Sequence, residues 1–198
     1  MGRRQRIPCG ARKAGGGQTL IERGTLDVPV LETARLRLRG HRLTDLDDLA
    51  ATWGDAGVTR FIGGKPQTRE EVWLRLLRHV GQWALLGWGM WIVEEKESGA
   101  FVGQIGFLDA KRNIVPSLEG MPEMGWVLAP QAHGKGYGTE AVRAAAAWGD
   151  THFGKRRTCC IIAPENKASI GVAQKAGFVV WRNSTYHDSP TIIFVRDA

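Results

Sequence analysis

Trp126-Val-Leu-Ala-Pro-Gln-Ala-His-Gly-Lys-Gly-Tyr-Gly-Thr-Glu-Ala141 is the stretch from which the rest of the chain is best read. Apolar residues up to Leu128 form the end of a strand, a glycine-rich turn follows, and a helix starts near Tyr137 to Thr139. Gly134, Gly136 and Gly138 clear side chains from the place where backbone N–H groups can close on an anion. The first turn of the helix adds free amides and a partial positive charge. A ligand carrying phosphate is the natural occupant of such a corner. Glycine turns also serve merely to change direction, so the surroundings must decide.

Two nucleotide signatures can be set aside. The dinucleotide fingerprint overlaps the turn as Gly136-x-Gly138-x-x-Ala141, but it belongs after the first strand of a βαβ unit, with an acid about 20 residues further on. Roughly four predicted strands precede it here, and residue 156 is arginine. The Gly-x-x-x-x-Gly-Lys-Ser/Thr signature is absent.

Upstream of the turn, Trp88 to Glu94, Phe101 to Leu108 and Met124 to Leu128 read as strands, the first two joined through Ser98-Gly99. Thr68 to Glu71 is a capping box, and Val72, Trp73, Leu76, Leu77, Val80 and Trp83 stripe the helix it opens. A shorter helix, capped by Thr44, carries Leu46, Leu49, Ala50 and Trp53, and Gly63-Gly64 separates the two. Arg35 to Arg39 alternates with period two, a half-buried strand. Downstream come an alanine-rich helix from Thr139 to His152 and a strand from Thr158 to Ile162. A helix from Asn166 to Lys175, ended by Gly177, precedes strands at Phe178 to Trp181 and Thr191 to Val195. The class is mixed α/β.

The 198 residues, 43% hydrophobic with eight tryptophans, suit one domain. A net charge of +7 suggests nucleic acid until it is located: residues 1–24 carry six basic side chains against Glu22 alone, so +5 sits in that segment and +2 in the rest. Residues 1–30 therefore read as a basic, Gly-rich tail and 31–198 as the domain, with nucleic acid not its expected partner. No stretch approaches the ~18 apolar residues of a membrane span, and no apolar segment follows the basic N-terminus as in a secretory signal, so the expected location is cytoplasmic. Cys159 and Cys160 sit in an apolar run as small buried side chains, and no metal-ligand spacing occurs.

Taken together, these segments resemble the GNAT N-acetyltransferases, in particular the RimJ/RimL-type branch. The likeness covers Leu31 to Arg196 and is carried by Leu31-Glu-Thr-Ala-Arg-Leu-Arg-Leu-Arg39, Gly87-Trp-Gly-Met-Trp-Ile-Val93, Phe101-Val-Gly-Gln-Ile-Gly-Phe107, the glycine turn, and Asn166-Lys-Ala-Ser-Ile-Gly-Val-Ala-Gln-Lys-Ala-Gly-Phe178. It implies a mostly antiparallel, splayed sheet of about seven strands with four helices, and acetyl-CoA as cosubstrate without a metal. It places the pyrophosphate on the amides of Gly134, Lys135, Gly136, Tyr137, Gly138 and Thr139. The family's Arg/Gln-x-x-Gly-x-Gly/Ala pattern has two registers here, from His133 or from Gln131. The backbone of Trp126, Val127 and Leu128 is implied to hold the thioester and pantetheine arm, and Asn166 and Ser169 to meet the pantetheine region. Asn166 reads equally as an N-cap. Where many relatives carry a thiol-protonating tyrosine this chain has Ala173, which leaves Ser169 as the candidate near the sulfur.

The implied reaction is direct attack by a primary amine, of a protein N-terminus or a small molecule, with a backbone N–H of Trp126 or Leu128 facing the oxyanion. An α-amine, with a pKa of about 7.7–8.0, needs less help than a lysine near 10.4. Glu123, before the cofactor strand, is the first candidate base, with Tyr186, His187 and Asp188 as outside candidates. Two other classes stand beside the enzyme: a CoA-binding module without catalysis, and a ribosome- or RNA-associated protein using the tail. A homodimer is one arrangement the resemblance allows.

Overall fold

The alternating and helical spacings of the sequence become one twisted sheet covered by helices in the computed structural model, which describes residues 26–198. The basic segment 1–25, and with it the RNA-binding alternative, lies outside the described residues. Ordered contacts begin before Leu31: Val28 packs on the core, and the Pro29 carbonyl accepts from the Trp91 indole N–H at 2.8 Å.

The strands are β1 (Leu31–Glu32), β2 (Leu36–Arg39), β3 (Met90–Glu95), β4 (Phe101–Leu108), β5 (Glu123–Leu128), β6 (Thr158–Ile162), β7 (Val179–Tyr186) and β8 (Ser189–Arg196). The helices are α1 (Leu46–Trp53), α2 (Ala56–Thr59), α3 (Arg69–Leu86), α4 (Tyr137–Phe153) and α5 (Lys167–Lys175). The sheet order is β1-β2-β3-β4-β5-β6-β8-β7, and every neighbouring pair is antiparallel except β5 and β6. This is the expected mixed α/β fold, with an eighth strand because Leu31–Glu32 pairs with β2, and a fifth helix because Asp55 caps a short turn through the Val58 N–H.

The capping box holds: Thr68 Oγ1 accepts from the Glu71 N–H and the Glu71 carboxylate from the Thr68 N–H. Beyond it, α3 ends on Gly87 in the left-handed region at φ 71°, which delays the expected strand from Trp88 to Met90. Thr44 is not the cap of α1; Leu43–Asp45 form a 3-10 turn in which the Asp45 carboxylate accepts from the Arg42 N–H and from Arg39. The last hairpin is longer than its apolar residues suggest, since Asn183 to Tyr186 pair with β8 despite being polar.

Register gives the sheet two distinct faces. Leu38, Trp91, Ile105, Met124 and Trp126 share the face covered by α4 and α5, where Ala141, Val142 and Ala145 are fully buried. A Cβ on Gly149 would come within 2.6 Å of the Phe107 ring, so α4 is pressed tightly onto this face. Ile92, Gln104 and Val127 share the opposite face, where α1 and α3 contribute Leu49, Trp53, Val72 and Leu76.

Candidate active site

β5 and β6 meet in register only at Glu123 and Cys159, so they part toward Leu128, as a splayed sheet requires. Ala129 to Ala132 then lead into the turn, where Gly134 (φ 74°) and Gly136 (φ 79°) take left-handed conformations that a Cβ would strain. Among the described residues, the amides of Gly134, Lys135, Gly136, Tyr137, Gly138 and Thr139 donate no hydrogen bond within the protein; the first α4 bond runs from the Glu140 N–H to the Gly136 carbonyl. Six free donors in the turn and the first residues of a 17-residue helix are the equipment an anion site requires.

The charges around the turn are arranged to keep it open and positive. Glu140, the acid of the first helical turn, is absorbed by the Thr33 hydroxyl (2.7 Å) and by the backbone and side chain of Arg35. Arg35 also donates to the Lys135 carbonyl and lies 4.6 Å from the Tyr137 ring centre. The Tyr137 hydroxyl binds Glu95, whose carboxylate is held below its ordinary range by Ser98 and Tyr137. A cavity of about 660 Å³ continues from the turn between Arg35, Arg143 and Lys175.

On the same face, the Trp126 indole N–H donates to Ser169 Oγ at 3.3 Å across the parted strands. The Ser169 N–H in turn donates to Asn166 Oδ1 at 3.1 Å, so Asn166 is the N-cap of α5. His133 Nε2 donates to the Leu128 carbonyl at 3.1 Å, fastening the turn to the strand end, whereas the Gln131 side chain is exposed. Ala173 is fully buried in the core.

The opposite face holds Glu123, which is 6% exposed. Its two oxygens accept from Arg112 Nε (2.5 Å) and Nη2 (2.6 Å), and Arg112 lies 4.8 Å from the Tyr186 ring centre. Both oxygens of the candidate base are thus engaged by one guanidinium in this structure. Next to it on this face comes Gly125, over which only Leu108 approaches a virtual Cβ, at 3.4 Å. His187 and Asp188 are the positive-φ turn of the β7–β8 hairpin. Burial pushes the Cys159 thiol up to about 12 and holds the Cys160 thiol well above its ordinary value, so neither supplies a thiolate near neutral pH.

A free-amide turn beside parted parallel strands is matched by a known family. The profile described as Acetyltransferase (GNAT) domain fits residues 35–179. The chain belongs to the GNAT acetyltransferase family. It is 33% identical over 175 residues to an uncharacterised Bacillus subtilis protein, YkkB, covering 84% of this chain and 94% of that one. A solved structure from Bordetella pertussis assigned to the same family is 27% identical with a TM-score of 0.75, covering 85% of this chain and 99% of its own. Spermidine N-acetyltransferase from Vibrio cholerae, solved with CoA and spermine, shares the fold at 14% identity and a TM-score of 0.67, over 83% and 96% of the two chains.

The protein is therefore an N-acetyltransferase of GNAT fold. Among the described residues there is no helix long and apolar enough to cross a membrane and no cluster suited to a metal. The sequence reading missed Arg35, Glu140, Arg143 and Lys175 around the GNAT turn, although an acid in the first turn of a helix is itself a signal of a managed N-terminus. It also missed Arg112, which no local pattern marks.

Proposed function

We propose that this N-acetyltransferase uses acetyl-CoA, is of the RimJ/RimL type, and acetylates a primary amine of a protein N-terminus or a small molecule by direct attack. The observation that carries this reading is the row of six unbonded amides from Gly134 to Thr139 beside strands that part. Acetyl-CoA, when bound, supplies an activated thioester. The amides of Gly134, Lys135, Gly136, Tyr137, Gly138 and Thr139 would hold its diphosphate, with Arg35, Arg143 and Lys175 lining the continuation of the site. The backbone of Trp126, Val127 and Leu128 would run beside the pantetheine arm, Gln131 and His133 shaping the turn between them.

Ser169 Oγ accepts the Trp126 N–H, which leaves its own proton free to be donated toward the sulfur. Asn166 fixes that serine through the helix cap. Glu123, held by Arg112 at the start of the cofactor strand, would accept the amine proton through water; an α-amine, partly neutral at pH 7, suits this arrangement. The buried Ala173 favours a second reading, a CoA-binding module without turnover.

Calorimetry with CoA, together with thiol release from acetyl-CoA against a panel of amines, separates the two. Binding with turnover on some amine supports the enzyme, binding with none supports the module, and no heat removes both.

A further inference from the structure

The face of the sheet opposite the glycine turn carries an arginine pair that the reaction outlined above does not use. On α3, Glu71, Arg75, Arg78 and Gln82 recur at helical spacing and form one flank of the helix. Gln82 Nε2 donates to the Phe107 carbonyl at 2.8 Å, so this flank looks toward the end of β4 and the segment bearing Arg112. Arg112 lies near enough for its charge, after burial, to depress the proton affinity of Arg78. The Arg75 guanidinium stacks 3.8 Å over the ring of Trp53, which packs in the cluster containing Val127 of β5. Arg75 thus packs, through Trp53, on the side of β5 opposite the one where Trp126 meets Ser169.

Arg75 is half-buried, and its Nε–H donates to Gln67 Oε1 at 3.1 Å. Its Nη groups have no carboxylate partner among the described residues, and neither has Arg78. Glu71, on the same flank, attracts Arg75 through space without pairing with it, its carboxylate being bonded to the Thr68 N–H and 3.7 Å from Lys65. Burial lowers Arg75 to about 10, so it remains a cation at neutral pH. Burying a charge without a carboxylate in contact is costly, and a guanidinium with its fork free is shaped for a carboxylate. Between the two arginines, Gln67, Glu71 and Leu74 lies a cavity of about 330 Å³.

We propose that Arg75 and Arg78 form an anion subsite of the acceptor cleft, so that the preferred amine also carries a carboxylate. This rests on the acetyltransferase reading and names its substrate class. A free amino acid and the acidic start of a peptide share that chemistry. Polyamines, which bring only positive charge, are disfavoured by it.

The test uses the full chain and thiol release from acetyl-CoA with glutamate, a pentapeptide with an acidic second residue, the amidated counterpart of each, and spermidine. The expected result is a ratio of kcat/KM, acid over amide, above tenfold for one of the two pairs, and the better pair identifies the source. Arg75→Gln should bring this ratio close to one through KM, and Arg75→Lys should restore part of it. Because Arg75 also packs on Trp53, Arg78→Gln, at an exposed position, is the second variant and should lower the same ratio without a change in melting temperature. Equal use of acid and amide, or spermidine as the best acceptor, overturns the proposal. If no amine is acetylated, the transferase reading fails separately. Calorimetry with N-acetylglutamate then decides the subsite: heat that is lost in Arg75→Gln supports it, and heat that is absent or unchanged rejects it.

Discussion

The two faces of the central sheet present opposite kinds of chemistry. On the α4 face the candidate cofactor site is built from main chain: glycines, free amides and a helix end, with acids drawn aside by Arg35 and Thr33. On the α3 face the candidate acceptor site is built from side chains: Arg75, Arg78 and the Arg112–Glu123 pair. A backbone site tolerates little change because its geometry depends on φ and on the absence of a Cβ. A side-chain site can be retuned one residue at a time.

The largest effect is expected from breaking the α4 face alone. Gly136→Asp forces a side chain into the left-handed region at φ 79° and sets a negative charge against phosphate. CoA affinity should fall by about 1,000-fold, roughly 4 kcal/mol, in a calorimetric titration. Retained affinity would show that the turn does not hold the diphosphate.

Acid should strike the α3 face next. His79, on the buried side of α3, stacks on His41 with ring centres 5.4 Å apart, and none of their ring nitrogens has a partner among the described residues. Burial lowers His41 to about 4 against the opposing charge of Asp45, and holds His79 well below its ordinary value, with His41, Arg78 and Arg75 adding to the effect. Between pH 6.5 and 4 the unfolded chain holds a proton at His41 that the folded chain does not. Stability is therefore lost as pH falls through that window, by about 3 kcal/mol from His41 alone. Urea unfolding at pH 7, 5.5 and 4.5 should show this slope in the wild type and a shallower one in His41→Gln. Equal slopes would mean that the pair is solvated.

Ser169→Ala sharpens the α4 face. Removing the hydroxyl takes away a proton donor and the acceptor for Trp126, while the Asn166 cap on the Ser169 N–H remains. Turnover should fall by about tenfold, near 1.4 kcal/mol, with CoA affinity changed less than twofold. An unaltered rate would retire Ser169 from the mechanism.

How legible each face is in the sequence follows from the same division. Gly134, Gly136 and Gly138 announce a backbone site because spacing alone specifies it, and Asn166 announces its cap. Arg112 meets Glu123 across an irregular segment, and Arg75 meets Trp53 from another helix, so both contacts depend on tertiary packing that no local pattern encodes. His187 and Asp188 hide a tight turn for a related reason: positive φ is normally a glycine signal, yet here it falls on side-chain-bearing residues that the hairpin ladder constrains. The β1 pairing escaped because two residues are too few to show alternation.

The smallest expected effect tests whether the faces are independent. Thr68→Ala removes the hydroxyl that accepts the Glu71 N–H and weakens the reciprocal bond of the capping box. Loss of such a cap costs about 1 kcal/mol, or roughly 2–4 °C in Tm for a chain of this size. Fraying at this end loosens Gln67, which holds Arg75, and so reaches the α3 face first. Acceptor KM should rise modestly while the Kd for CoA stays unchanged, because α4 and its turn take no contact from the capping box. A parallel loss of CoA affinity would mean that the sheet transmits strain from one face to the other, and the two sites would then have to be treated as one.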